Sequence, residues 1–196
     1  MNPSDTAPLL PPRPTALAQH LLRGAIGAGD LAIDATAGNG HDTQFLAECV
    51  GVEGRVLAFD VQAVAIAAAR ARLAAAGLAQ RVEFFQESHA AMAPRAAPGA
   101  VAAVMFNLGY LPGADHRVVT QTAVTLMGLE CSVTLLKPGG VLSVVCYPGH
   151  PGGEVEAAAV EQWFATRAGR GWRVARYGAL GTRRPAPFLL LGRKVP

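Results

Sequence analysis

The segment Ile33-Asp34-Ala35-Thr36-Ala37-Gly38-Asn39-Gly40-His41-Asp42-Thr43 decides how this chain folds. The apolar run Leu31 to Ile33 stops on an acid. Two glycines then bracket one small polar residue before a helical pattern runs from Thr43 to Val50. A strand that ends in Asp and turns through D-x-x-x-G-x-G into a helix is a nucleotide-cofactor turn. Glycine reaches positive φ and lets a ligand come close to the backbone, both of which a Cβ resists. The first turn of the helix also presents N–H groups that have no partner within it. By itself the loop implies an adenosine-bearing cofactor.

The carboxylate narrows the choice. A dinucleotide fold sets its glycines directly after the strand, so that a pyrophosphate rests on the helix N-terminus. An acid at the mouth of the first strand repels that pyrophosphate and suits a ligand with a positive amino group and no phosphate. S-adenosyl-L-methionine, with its α-ammonium and sulfonium charges, fits. The next apolar run, Arg55 to Phe59, ends in Asp60, where a second acid can hold both ribose hydroxyls at the spacing of a βαβ unit. The competing reading, an Asp capping a helix beside a structural glycine turn, explains Asp34 alone but not the pair. The candidate cofactor contacts here are Asp34, Thr36, Gly38, Asn39, Gly40, His41, Asp42, Asp60 and Gln62.

Outward from the loop, helical and strand patterns alternate. A helix from about Thr15 to Arg23 comes first, and an alanine-rich helix after Asp60 is stopped by Gly77. Val82 to Phe85 reads as the third strand. Val101 to Phe106 is a continuous apolar run, the mark of a strand buried on both faces. A helix from about Val118 to Leu136 closes at Lys137-Pro138-Gly139-Gly140, followed by a strand at Val141 to Cys146 and a helix at Glu154 to Arg167. Trp172 to Tyr177 and Phe188 to Leu191 read as a closing antiparallel hairpin. This alternation argues an α/β fold with a doubly wound sheet and helices on both faces. Such sheets bind ligands at the carboxyl ends of their strands, where every motif here falls.

Composition bounds the remainder. The chain has 196 residues, 51% hydrophobic and only 16% charged, which implies one globular domain over residues 15–196 rather than disorder. Residues 1–14 are proline-rich and read as a flexible lead-in without the features of a secretory signal. No apolar run reaches the ~18–20 residues of a membrane span. Cys49, Cys131 and Cys146 are odd in number and scattered. They read as small buried hydrophobes in a reducing cytoplasm, with no metal site expected. A formal charge of +3 permits a nucleic-acid partner without establishing one.

The fourth strand ends in Asn107-Leu108-Gly109-Tyr110, continuing Leu111-Pro112-Gly113. This resembles the N/D-P-P-Y motif of enzymes that methylate amino nitrogens. An Asn oxygen and a nearby carbonyl accept hydrogen bonds from the target NH₂ and aim its lone pair. Asn supplies that acceptor without charge, and the aromatic ring offers a face for a planar base. Such alignment is worth up to ~7–11 kcal/mol of barrier. Leu-Gly in place of Pro-Pro loosens the turn. On the competing reading Asn107 merely terminates a strand and Tyr110 is core.

Together these residues resemble the bacterial rRNA-methylase-like family of MnmM/YtqB-type tRNA wobble-uridine methyltransferases. Gly38 to Thr43 (GNGHDT), Phe59-Asp60 with Gln62, Ser88-His89, Phe106 to Gly113 (FNLGYLPG) and Tyr147 to Glu154 (YPGHPGGE) follow its pattern in order. The resemblance runs from about Thr15 to the C-terminus. It implies a class I, Rossmann-like methyltransferase fold with seven strands and the last antiparallel, and a cytoplasmic homodimer. The implied reaction converts 5-aminomethyl-2-thiouridine to 5-methylaminomethyl-2-thiouridine at the tRNA wobble position. Two segments depart from the family. Its N-Q-x-N stretch reads Gly181 to Pro187 (GTRRPAP), and its Gly-Asp-Lys reads Ala114-Asp115-His116.

Roles follow residue by residue. Asn107, also a candidate cofactor contact, and Tyr110 orient the acceptor, and Asp115 is a candidate base, a role typically worth ~10²–10⁴-fold. Ser88 and His89 fall where class I enzymes contact adenine. Leu108, Gly109, Tyr110, Pro112, Tyr147, His150, Arg183 and Arg184 are the candidate substrate contacts, the arginines toward phosphate. His41 serves equally as a cofactor contact or a solvated cap, and Asp42 as a helix-terminus acid. The alternatives are methylation of rRNA or a small amine, a nicotinamide reductase, and an RNA-binding protein that keeps the fold without turnover.

Overall fold

The computed structural model describes residues 11–109 and 119–196. Strands Leu31–Asp34 (β1), Arg55–Phe59 (β2), Val82–Phe85 (β3), Val101–Asn107 (β4), Leu136–Cys146 (β5), Trp172–Gly178 (β6) and Phe188–Lys194 (β7) form one sheet. Its order is β3-β2-β1-β4-β5-β7-β6. The first five strands are mutually parallel, and β7 enters antiparallel between β5 and β6.

Helices Pro14–Arg23 (α1), His41–Val50 (α2), Ala63–Ala75 (α3), Thr122–Leu135 (α4) and Gly153–Arg167 (α5) alternate with the strands. Residues of α1, α2 and α3 pack with Ala32, Val56, Ala103 and Met105 on one face. Residues of α4 and α5 pack with Ile33, Leu57, Val104 and Phe106 on the other. Every residue from Val101 to Phe106 is buried, as a strand covered on both faces requires. Burying a side chain the size of Ile33 or Phe106 stabilises by about 1.5–3 kcal/mol.

The elements differ from the sequence pattern mainly at their ends. The helix α2 begins two residues early, at His41. The described part of the fourth helix begins at Thr122, and Val118 lies outside the described residues. The Lys137 to Gly140 breaker becomes an excursion inside β5, because Leu136 already pairs with Val101 before Val141 pairs with Ala103. Of the lead-in, residues 1–10 lie outside the described residues, whereas Pro12 is tied down by the Tyr177 hydroxyl, which donates to its carbonyl at 2.7 Å. Among the described residues no helix is long and apolar enough to cross a membrane.

Candidate active site

All the parallel strands end at one edge, and there the polar side chains converge. Asp34 lies beneath the glycine loop, 1% exposed. Its Oδ2 accepts the Thr43 hydroxyl at 2.6 Å and its Oδ1 the Thr36 amide at 3.1 Å. Burial, helped by the charge of Asp42, pushes its pKa up to about 7, against the pull of those two hydrogen bonds. Asp34 therefore braces the loop from below instead of standing open to a ligand.

Asp60 clamps the loop from the side. Its Oδ2 accepts Gly38 N–H and its Oδ1 accepts Gln62 N–H, both at 2.9 Å. Gly40 shows why the turn needs glycine. Its φ is 78°, and a Cβ there would lie 2.8 Å from the Ala69 Cα of α3. The loop thus rests on a neighbouring helix. Asn39 and His41 face the same helix: Arg72 donates from Nε to the Asn39 carbonyl at 2.8 Å, and its Nη2 lies 3.1 Å from His41 Nε2. A guanidinium only donates, so His41 Nε2 is the acceptor of that pair.

The centre of the site is Asn107, the last residue of β4. Its backbone N–H donates to Thr36 Oγ1 at 2.7 Å, joining it to the glycine loop. Its Nδ2 donates to Asp42 Oδ2, while Asp42 Oδ1 accepts Gln19 Nε2 of α1 at 2.6 Å. An ionised carboxylate only accepts, so Asp42 fixes which end of the Asn107 amide faces it. The other end, Oδ1, is buried and has no hydrogen-bond partner among the described residues. A buried carbonyl oxygen left without a donor costs about 1–3 kcal/mol, and a donor supplied by a ligand would remove that cost. Burial raises the Asp42 pKa, offset by the bonds from Gln19 and Asn107.

Tyr147 and His150, just past β5, come to the same place. An added Cβ on Gly109 would lie 3.6 Å from His150 Nε2 and 3.7 Å from Tyr147 Cβ. Burial and then the charge of Asp42 raise the Tyr147 pKa, which puts its phenol within reach of the Asp42–Asn107 pair's field. The β6–β7 connection carries Arg183 and Arg184, both exposed, and Pro185 approaches Gly149 in the β5–α5 turn. That meeting follows from register, since Cys146 pairs with Phe188.

Leu108 requires a correction. Its side chain is 2% exposed and packs into the core with Phe106, and its N–H donates to the Val145 carbonyl at 2.9 Å, so neither reaches a substrate. His89 is also buried, edge-on to Phe106 with ring centroids 5.3 Å apart and tight against Gly128. Burial lowers its pKa, against the pull of hydrogen bonds involving the backbone of Ala35 and Val124. Ser88 caps the short turn at 89–91 through Ala90 N–H. Tyr110, Pro112 and Asp115 lie outside the described residues.

Four participants carry no sequence signal of their own: Gln19, Thr120, Thr125 and Glu156. Each meets its partner only across the fold. The described residues hold no group of three or more His, Cys, Asp or Glu side chains that could bind a metal.

Comparison with known proteins gives the chain's family and fold. A model of the family described as "Putative rRNA methylase" matches residues 56–193. A chloroplastic tRNA (mnm5s2U34)-methyltransferase of Arabidopsis thaliana is 36% identical over 185 residues, covering 90% of this chain and 67% of that one. A crystal structure described as a "putative rRNA-methylase" from Clostridium thermocellum superposes with a TM-score of 0.91 at 34% identity, covering 95% of this chain and all of that one. A Streptococcus mutans protein described as a "putative methyltransferase", solved in complex with SAH, gives a TM-score of 0.85 at 32% identity, covering 93% and 98%.

Proposed function

Because this chain belongs to the rRNA methylase family, we propose that it is the S-adenosylmethionine-dependent N-methyltransferase that converts 5-aminomethyl-2-thiouridine to 5-methylaminomethyl-2-thiouridine at the tRNA wobble position. The observation that carries this reading is the buried, unpartnered Asn107 Oδ1, locked toward the strand ends by Asp42 and Gln19.

The residues present suit the cofactor. Gly38, Asn39 and Gly40 supply the close backbone, Asp60 the carboxylate for the ribose, and Asp34 the brace beneath the loop, with Asp42 beside it. Ser88 and Gln62 border the same edge. When bound, S-adenosylmethionine supplies an electrophilic methyl group on a sulfonium.

The chain's own groups do the positioning. Asn107 Oδ1 accepts an N–H of the primary amine and so directs the nitrogen lone pair along one line. Thr36, bonded to the Asn107 amide, keeps that acceptor in register with the glycine loop. Asp42, held by Gln19, keeps the Asn107 amide turned so that its oxygen is left to face the amine, which attacks in its unprotonated form. In this reading Tyr110 stacks the base, Pro112 is a substrate contact, Asp115 is the candidate base for the amine's proton, Tyr147 and His150 line the approach, and Arg183 and Arg184 hold phosphate. Such placement contributes through orientation, for which ~7–11 kcal/mol is available. We further infer a cytoplasmic homodimer. The location accords with three cysteines that are all free, and the dimer is checked by light scattering.

The test is Asn107→Ala. Turnover should fall by about 10²-fold or more, as a lost positioning contact does, while S-adenosylmethionine binds with unchanged Kd by calorimetry. Turnover that survives the substitution would defeat the positioning role.

A further inference from the structure

Glu156 is a buried carboxylate to which the reaction assigns no task. It lies in the first turn of α5, 3% exposed, and no lysine, arginine or histidine pairs with it among the described residues. Its two oxygens accept hydroxyls instead: Thr120 Oγ1 donates to Oε2 and Thr125 Oγ1 to Oε1, each at 2.6 Å. Its position near the helix N-terminus favours the charge.

The chemistry of the group sets the direction of the chain. A carboxylate only accepts, so both threonine hydrogens point at Glu156. That leaves Thr120 Oγ1 free to accept, and Gly109 N–H donates to it at 3.0 Å. Thr120 N–H in turn donates to the Gly109 carbonyl at 3.0 Å. Gly109, at φ 135°, stands two residues beyond Asn107. The relay Gly109 N–H to Thr120 O–H to Glu156 therefore ties Gly109 and Thr120 to α5. Thr125 fastens the start of α4 to the same carboxylate.

We propose that Glu156, acting through Thr120, is a positioning residue for methyl transfer. It fixes Gly109, two residues beyond Asn107, and so the place where Asn107 Oδ1 meets the amine. This rests on the reading of that turn as the acceptor site. A packing role alone would cost stability without touching turnover selectively.

Glu156→Gln converts one acceptor oxygen into a donor, which competes with Gly109 N–H for Thr120 Oγ1. Glu156→Ala removes the anchor and endangers folding, so Thr120→Val is the decisive variant and Thr120→Ser its conservative control. The measurements are kcat and KM with tRNA, the S-adenosylmethionine Kd, the melting temperature, and amide exchange at Gly109. Thr120→Val should lower kcat by about tenfold or more, within the ~10²-fold that a 1 Å misplacement costs. Its cofactor Kd should stay within about twofold, Gly109 should exchange faster, and Thr120→Ser should restore both. Unchanged kcat in Thr120→Val, or a fall that only follows lost melting temperature and cofactor binding, would overturn the proposal. Absence of tRNA methylation by the unaltered protein would overturn the functional reading instead, and the role of Glu156 with it.

Discussion

Replacing Asp34 with Asn should remove a pH dependence of stability that burial builds into the end of β1. The pKa of Asp34 rises from 3.8 to about 7 because the carboxylate is buried and lies close to Asp42; Asp60 adds a smaller push, and the bonds from Thr43 and Thr36 pull the other way. In the unfolded chain the proton leaves near pH 4. In the folded chain it leaves near pH 7. Between the two the folded state binds more protons, so stability falls as pH rises, by about 1.4 kcal/mol per unit. The contribution is constant below about pH 4 and again above about pH 7, and across the window it amounts to roughly 4 kcal/mol. Urea denaturation of both chains between about pH 5 and pH 7 measures it. The unaltered protein should lose about 2 kcal/mol relative to Asp34→Asn over those two units. The difference reports Asp34 together with its coupling to Asp42. Parallel stability curves would refute the reasoning and return Asp34 to an ordinary, solvated carboxylate.

Other positions give sharper yes-or-no readings. Asp60→Ala should weaken S-adenosylmethionine binding by about tenfold or more, measured by calorimetry; an unchanged Kd would sink the ribose assignment. In Gly40→Ala the new Cβ meets the Ala69 backbone at 2.8 Å on a residue with φ 78°, so the melting midpoint should drop by the equivalent of about 1–3 kcal/mol. Arg183→Ala and Arg184→Ala should each weaken tRNA binding across sequences and reduce its salt slope by about one, with cofactor affinity unaffected. A slope that does not move would remove these arginines from the phosphate path.

The sequence exposes what is local and periodic. Leu31 to Thr43 places a strand, an acid, a glycine turn and a helix in one short window, and both Asp34 and Asp60 stand at strand ends as their positions after apolar runs require. Burial on both faces is legible in Val101 to Phe106 because no polar residue interrupts it. Leu108 marks the limit of motif matching. Strand alternation places Leu108 on the same face as Phe106, pointing into the core, and Asn107 on the opposite face toward α1 and α2. The motif alone put both in contact with substrate. Gln19, Thr120 and Glu156 were not legible, since hydrogen bonds across 36 residues (Thr120 to Glu156) or 23 residues (Gln19 to Asp42) leave no periodicity and no spacing rule. The arginines of the last third divide in the same way. Arg167 pairs with Glu130 and Arg176 with Glu161, and only the structure separates these from exposed Arg183 and Arg184.

The most direct test of the central claim is methyl transfer from labelled S-adenosylmethionine to bulk tRNA that carries unmethylated 5-aminomethyl-2-thiouridine, followed by nucleoside mass analysis. Label in 5-methylaminomethyl-2-thiouridine is the expected result, and it identifies cofactor, substrate and acceptor nitrogen together. Label absent from tRNA, with cofactor binding intact, would contradict the wobble-uridine assignment and direct attention to rRNA and small amines, with Gly181 to Pro187 as the segment responsible.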